Sequence, residues 1–238
     1  MVLTDDNFCT IVEAVKEGRG LFENIKKAIH FLLATNIGEI VVVFMGLVLG
    51  LKTPLLAIQL LWINLVTDSL PALALAVDPP EKDIMERKPL KTKGIFTKGM
   101  TWRIVYQGFM IGILTLIAFI LGLGTEGFSA PERIKIAQTM AFTVLALSEL
   151  VHVFNIRNNK KSMFASNPFN NGMLILAVLV SASFMFAVLL IPALRDIFNI
   201  ALLPKSQIEE VVCLVFAPIV IVEIFKLLRL NGTKLDEK

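Results

Sequence analysis

Two polar clusters interrupt long apolar runs in this 238-residue chain. The first run carries Thr35-Asn36-Ile37-Gly38-Glu39, and the second carries Asn64-Leu65-Val66-Thr67-Asp68-Ser69-Leu70-Pro71. On a helix, residues three and four apart share a face. Asn36 and Glu39 are then neighbours, as are Asn64, Thr67 and Asp68. A carboxylate at bilayer depth costs at least about 2.5–3.5 kcal/mol on insertion scales, and such groups mark function. The set offers carboxylate, amide and hydroxyl oxygens, with no imidazole or thiolate among them. It suits Ca2+, which takes about six to eight oxygens at ~2.3–2.6 Å, and disfavours the softer metals. Pro71 cannot donate to the carbonyl of residue 67, and its ring clashes there. The second helix is therefore expected to unwind and to offer the Thr67 carbonyl as a further ligand. Glu149, flanked by Leu147, Leu150 and Val151, supplies a third acid from another apolar run. Three acids so placed are expected to trade metal for protons.

Blander readings exist for each residue. A single Asn or Thr inside a span is more often a helix–helix hydrogen bond than a ligand. A single buried Glu can pair with a base, but no Lys or Arg lies inside a span near Glu39 or Asp68. Five polar groups on two adjacent helices, with a proline at the carbonyl-freeing position, favour a site. His30 and His152 read as structural residues near a membrane interface. Glu223 reads as a residue snorkelling from a helix end.

The elements that must hold these residues are membrane helices. Hydrophobic residues make up 55% of the chain and the mean hydropathy is +0.73, above the roughly 45–50% apolar share of soluble domains. Six runs are long enough to span a bilayer: 30–51, 55–77, 104–123, 135–154, 173–191 and 209–228. The expected fold is thus an all-α bundle with six transmembrane helices. Six spans put both termini on one side. That side collects every Lys and Arg of the 23 except Lys52, Arg133, Lys135, Arg195 and Lys205. The positive-inside rule makes it the cytosol. Trp102 and Tyr106 open the third span as interfacial aromatics.

Residues 1–28 form a cytosolic piece too short for its own core. Met1-Val2-Leu3 resembles a short strand. Asp5-Asp6-Asn7 offers N-cap oxygens for a first helix, which Gly18 and Gly20 are expected to interrupt. A second helix runs from about residue 20 into the membrane. Residues 29–230 make the transmembrane domain, with a basic cytosolic loop at 78–103 and a tail at 231–238. Cys9 and Cys213 are too few and too separated for a disulfide framework or a zinc site. No Walker-type phosphate loop is present, and nothing points to nucleic acid.

Several segments are family motifs: Asn36-Ile37-Gly38-Glu39; Leu61-Trp62-Ile63-Asn64-Leu65-Val66-Thr67-Asp68; and Asp83-Ile84-Met85-Glu86-Arg87 with Pro89. With these the chain resembles the C-terminal membrane half of P-type calcium pumps of the sarco/endoplasmic-reticulum type and their bacterial relatives. Thr4-Asp5-Asp6-Asn7-Phe8 through Glu17-Gly18-Arg19 resembles the end of the family's phosphorylation domain and its stalk helix. The resemblance implies the last six spans of a ten-span pump. It implies that Asn36, Glu39, Thr67, Asp68 and Glu149 form one calcium site. Asn64 and Asp68 would contribute to a second, which also needs an earlier span. Glu39 and Thr67 mark the two-site type. The short, cysteine-free external loop at 124–132 is similar to those of bacterial plasma-membrane members. The family's phosphorylation, dephosphorylation and nucleotide motifs do not occur here. No residue is therefore expected to be catalytic, and ATP and Mg2+ would act only through a missing N-terminal half. The chain reads as a fragment of that pump, moving Ca2+ out of the cytosol within a lipid bilayer. The alternatives are a self-standing cation carrier or channel, a pump for Na+ or Mn2+, and an inactive remnant.

Overall fold

The computed structural model describes residues 8–80, 83–86, 94–158, 162, 170–228 and 230–232. Its described residues form eight α-helices and one π-helical segment, without strands. The expected strand at 1–3, the caps at 5–7, part of the loop 78–103 and most of the tail lie outside the described residues. In chain order the helices are α1 (Phe8–Val48), α2 (Ala57–Trp62), α3 (Ser69–Ala76), α4 (Lys98–Leu123), α5 (Ala130–Arg157), α6 (Gly172–Leu190), α7 (Pro192–Phe198) and α8 (Lys205–Leu227). The π-helical segment, Ile63–Asp68, joins α2 to α3 without a break. Five stretches are long and apolar enough to cross a membrane: α1, the run Ala57–Ala76, α4, α5 and α6. The sixth expected span coincides with α8, 23 residues long and not among those five. Its charged ends, with Glu209, Glu210, Glu223 and Lys226, dilute an otherwise apolar helix.

One expectation fails at the start of the chain. Gly18 and Gly20 do not interrupt a helix, because α1 is a single element of 41 residues, about 60 Å long. A glycine costs a helix only ~1 kcal/mol relative to alanine. At Gly20 the missing side chain lets Pro80 approach, since a Cβ there would lie 2.9 Å from Pro80 Cβ.

Helix starts follow their capping residues. Thr97 accepts from the Met100 amide at 3.2 Å at the head of α4, and Asn171 accepts from the Leu174 amide at 2.9 Å at the head of α6. Before α5, Glu132 accepts from the Ser129 amide at 2.9 Å, half of a capping box.

Helix α5 runs through the middle of the bundle, with every residue from 136 to 146 buried. Around it, α1, α4, α6 and α8 expose apolar side chains such as Phe44, Ile113, Leu179 and Val220. Such faces are stable against lipid rather than water. Helices α1 and α4 pack through glycine. A Cβ on Gly108 would meet Ile37 at 2.6 Å, and one on Gly112 would meet Val41 at 2.7 Å. Gly108 and Gly112 are spaced as in a small-xxx-small contact, which lets two membrane helices approach closely. Trp102 donates to the Leu230 carbonyl at 2.9 Å, and Tyr106 stacks on Phe225 at 4.8 Å. The two interfacial aromatics thus hold the end of α8. Cys9 and Cys213 form no disulfide with each other.

The Arg- and Lys-rich end of the bundle is tied by one carboxylate. Asp78 is buried and accepts from Lys27 at 3.1 Å, Arg157 at 2.9 Å and Asn171 at 2.8 Å. Its main-chain oxygen accepts from Asn24 at 2.6 Å. This residue therefore joins α1, the end of α3, the end of α5 and the cap of α6. Removing one partner of a buried ion pair is far more costly than losing a surface pair. Asp78→Ala is expected to lower unfolding stability by about 3 kcal/mol, read as an earlier midpoint in denaturant titration of the detergent-solubilised protein. An unchanged midpoint would show that the junction contributes nothing.

Candidate cation site

The acids predicted from the sequence arise from three elements. Glu39 lies in α1, Asp68 ends the π-helical segment and Glu149 lies in central α5. All three are buried, Glu149 completely. Asn64 clamps Glu39, its amide donating to both carboxylate oxygens at 2.7 and 2.9 Å. Asp68 accepts from the Thr35 hydroxyl through Oδ2 at 2.7 Å. The other oxygen, Oδ1, and both oxygens of Glu149 have no hydrogen-bond partner. Glu149 faces Asp68, and Glu39 lies near both. Orphaned carboxylate oxygens beside like charge call for a cation or a proton between them.

The remaining predicted donors are held by their own helices. Asn36 is half-buried and donates to the Leu32 carbonyl at 2.6 Å. Thr67 is fully buried and donates to Ile63 at 2.8 Å, which leaves its oxygen lone pairs available. Asn36 therefore spends its amide N–H on its own helix backbone, which leaves its amide oxygen unused by that bond. Among the described residues, no three His, Cys, Asp or Glu side chains converge closely enough to hold one metal ion together. The arrangement is a facing acid pair with a third, amide-clamped acid nearby.

The second helix departs from expectation around Pro71. It does not unwind but widens into a π-helix over Ile63–Asp68 and continues as α3 through Pro71. Widening absorbs the proline by shifting the hydrogen-bond register, a distortion frequent at functional sites. Asn64, Thr67 and Asp68 all fall in the widened turn.

Thr35, four residues before Glu39 on the same helix face, joins the site through its bond to Asp68. His30 and His152 are fully buried inside the bundle. Their Nε2 atoms lie 2.8 and 3.2 Å from the same oxygen, Oε1 of Gln107. Asn155 continues this network, 3.3 Å from His152 Nδ1 and donating to the Pro218 carbonyl at 3.2 Å. Helices α1, α4, α5 and α8 are thereby cross-linked. No pattern local to any one helix signals such a bridge.

Five membrane-capable helices, with buried carboxylates between them, define the class as a helical membrane-protein fold. The family "Cation transporting ATPase, C-terminus" matches residues 52–228, and the chain belongs to it. The calcium-transporting ATPase of Bacillus subtilis (strain 168) is 48% identical over 200 residues, covering 84% of this chain and 22% of that protein. Calcium-transporting ATPase 1 of Bacillus cereus (strain ATCC 10987 / NRS 248) is 44% identical, over 97% of this chain and 27% of its own length. The endoplasmic reticulum calcium ATPase srcA of Aspergillus fumigatus is 34% identical, over 94% of this chain and 26% of its own length. The chain spans about a quarter of the length of the curated relatives it matches. It corresponds to the C-terminal membrane part of a P-type ATPase.

Thr35 is expected to matter to Asp68 in particular. Thr35→Val keeps the shape but leaves the buried Asp68 without its donor, a loss of about 1–3 kcal/mol. Thermal unfolding in detergent should show this as a lowered midpoint that Thr35→Ser restores. A Thr35→Val midpoint equal to the parent's would contradict the bond's contribution.

Proposed function

We propose that this chain is the cation-binding membrane part of an ATP-driven calcium pump that moves Ca2+ out of the cytosol. The observation that carries the reading is the set of orphaned, buried oxygens on Asp68 and Glu149, with Glu39 beside them. The calcium-transporting ATPases among its relatives support the choice of ion.

In this reading Asp68 and Glu149 bind the ion first, because their free oxygens need no rearrangement. Glu39 joins when Asn64 turns its amide so that the carbonyl oxygen, rather than the NH2, faces the ion. Thr67 adds its hydroxyl oxygen and Asn36 its amide oxygen, which the N–H bond to Leu32 leaves unused. Hard oxygen donors with several carboxylates hold Ca2+ with flexible geometry. When the ion leaves, the same carboxylates are neutralised by protons, which gives counter-transport. ATP and Mg2+ act in an N-terminal half that supplies the first four spans and the soluble domains. Residues 1–28 are the base of the phosphorylation domain and its stalk, and 29–230 the transport domain. Six spans, counting α8, place both termini in the cytosol, in a bacterial plasma membrane.

In the complete pump, Glu39→Gln and Asp68→Asn should each raise the calcium concentration for half-saturation more than ~100-fold, beyond the 10–100-fold expected of outer-shell changes. Equilibrium calcium binding measures this. In weakly buffered solution the same titration should release protons. Saturation by Na+ or Mn2+ with no calcium binding would sink the calcium assignment, and binding without proton release would sink the exchange.

A further inference from the structure

Helix α6 bears none of the residues assigned to the cation. Most of it is apolar and turned outward, and its buried residues are Leu174, Ser181, Met185 and Val188. Ser181 is thus the polar member of that stripe, and it is fully buried. A serine inside a membrane helix commonly returns its hydroxyl to the carbonyl four residues earlier. Ser183, two residues away, does so with Leu179 at 2.7 Å. Ser181 instead donates across to the Val66 carbonyl at 2.8 Å.

Val66 lies in the middle of the π-helical segment. Carried on past that segment, the i to i+5 register pairs the Val66 carbonyl with the amide of residue 71. Residue 71 is proline and has no N–H. The remaining turn is held by its own side chains. Ser69 donates to the Asn64 carbonyl at 2.8 Å, Thr67 to Ile63 at 2.8 Å and Asn64 to Leu60 at 3.1 Å. The bond to Val66 comes from another helix.

We propose that Ser181 is a positioning residue for cation binding: its hydroxyl replaces the amide that Pro71 lacks and locks the widened turn carrying Asn64, Thr67 and Asp68. The inference rests on the cation site described above. Helix α6 thereby becomes part of the binding apparatus although it touches no ion. Movement of α6 against the second helix would be felt at Asp68, two residues from Val66. Val66 contributes only its main chain to this lock.

The test is equilibrium calcium binding by the complete pump in detergent, with Ser181→Ala, Ser181→Thr, and Ser181→Ala in a Pro71→Ala background. Losing one hydrogen bond that orders the turn should raise the half-saturating calcium concentration about three- to tenfold. Ser181→Thr keeps the hydroxyl and should stay within about twofold of the parent. Pro71→Ala returns an N–H to the turn, so in that background the effect of Ser181→Ala should fall below about twofold. Melting temperatures in chelator separate positioning from mere stability. The proposal expects the affinity to change even between variants that melt alike without calcium. If Ser181→Ala does not fold, Ser181→Cys, with a weaker donor, takes its place. Unchanged calcium affinity in Ser181→Ala, or an effect of equal size with Pro71→Ala, overturns the proposal. A parent protein that binds no calcium overturns the cation-site reading, and this inference with it.

Discussion

A charge or a polar backbone group surrounded by hydrocarbon must find its partners inside the protein. Glu39, Asp68 and Glu149 impose that condition at the centre of this bundle, and the packing around them answers it. Central α5 is buried on almost every side, so Glu149 can lie beside two other acids without meeting lipid. Asp68 receives a hydroxyl from α1, and Glu39 an amide from the π-helical segment. Two of the three acid-bearing elements, α1 and the π-helical segment, thus partly satisfy each other. What they leave unsatisfied is a set of carboxylate oxygens suited to a cation.

Polar contacts above and below the acids hold the helices at fixed heights. At one end Asp78 gathers Lys27, Arg157 and Asn171. At the other, Gln59 donates to the Phe198 carbonyl at 3.0 Å and Gln138 to the Thr53 carbonyl at 2.8 Å. Between the acids and the Asp78 junction, Gln107 bridges His30 and His152. Apolar packing in lipid is weakly directional, because lipid tails are as apolar as the side chains. Directional bonds of this kind decide rotation and register. Close contact at Gly108 and Gly112 then brings α1 against α4.

Much of this was legible along the chain. The apolar runs mark the helices because period and length are local properties, and Glu39, Asp68 and Glu149 stand out because acids are rare in such runs. Two local readings went astray for the same reason. Gly18 and Gly20 resemble a break in isolation, yet Pro80, sixty residues on, fills the space beside Gly20. Pro71 resembles an unwinding point in isolation, yet the chain widens into a π-helix and runs on as α3. His30 and His152 read as structural residues along the chain, but their shared partner Gln107 lies on another helix. In each case the deciding partner lies on a different element.

The sequence by itself determined the helical class, the membrane-capable runs and the acids at bilayer depth, because each depends on spacing and composition within a short window. The motifs in those runs were also enough to point to the family that the matched relatives share. Only the tertiary structure decided which carboxylate oxygens remain without a donor. It also decided that Thr35 and Ser181 stand behind Asp68. Those facts depend on contacts such as that between Val66 and Ser181, which are set by how the helices pack in three dimensions and leave no periodic trace in the chain.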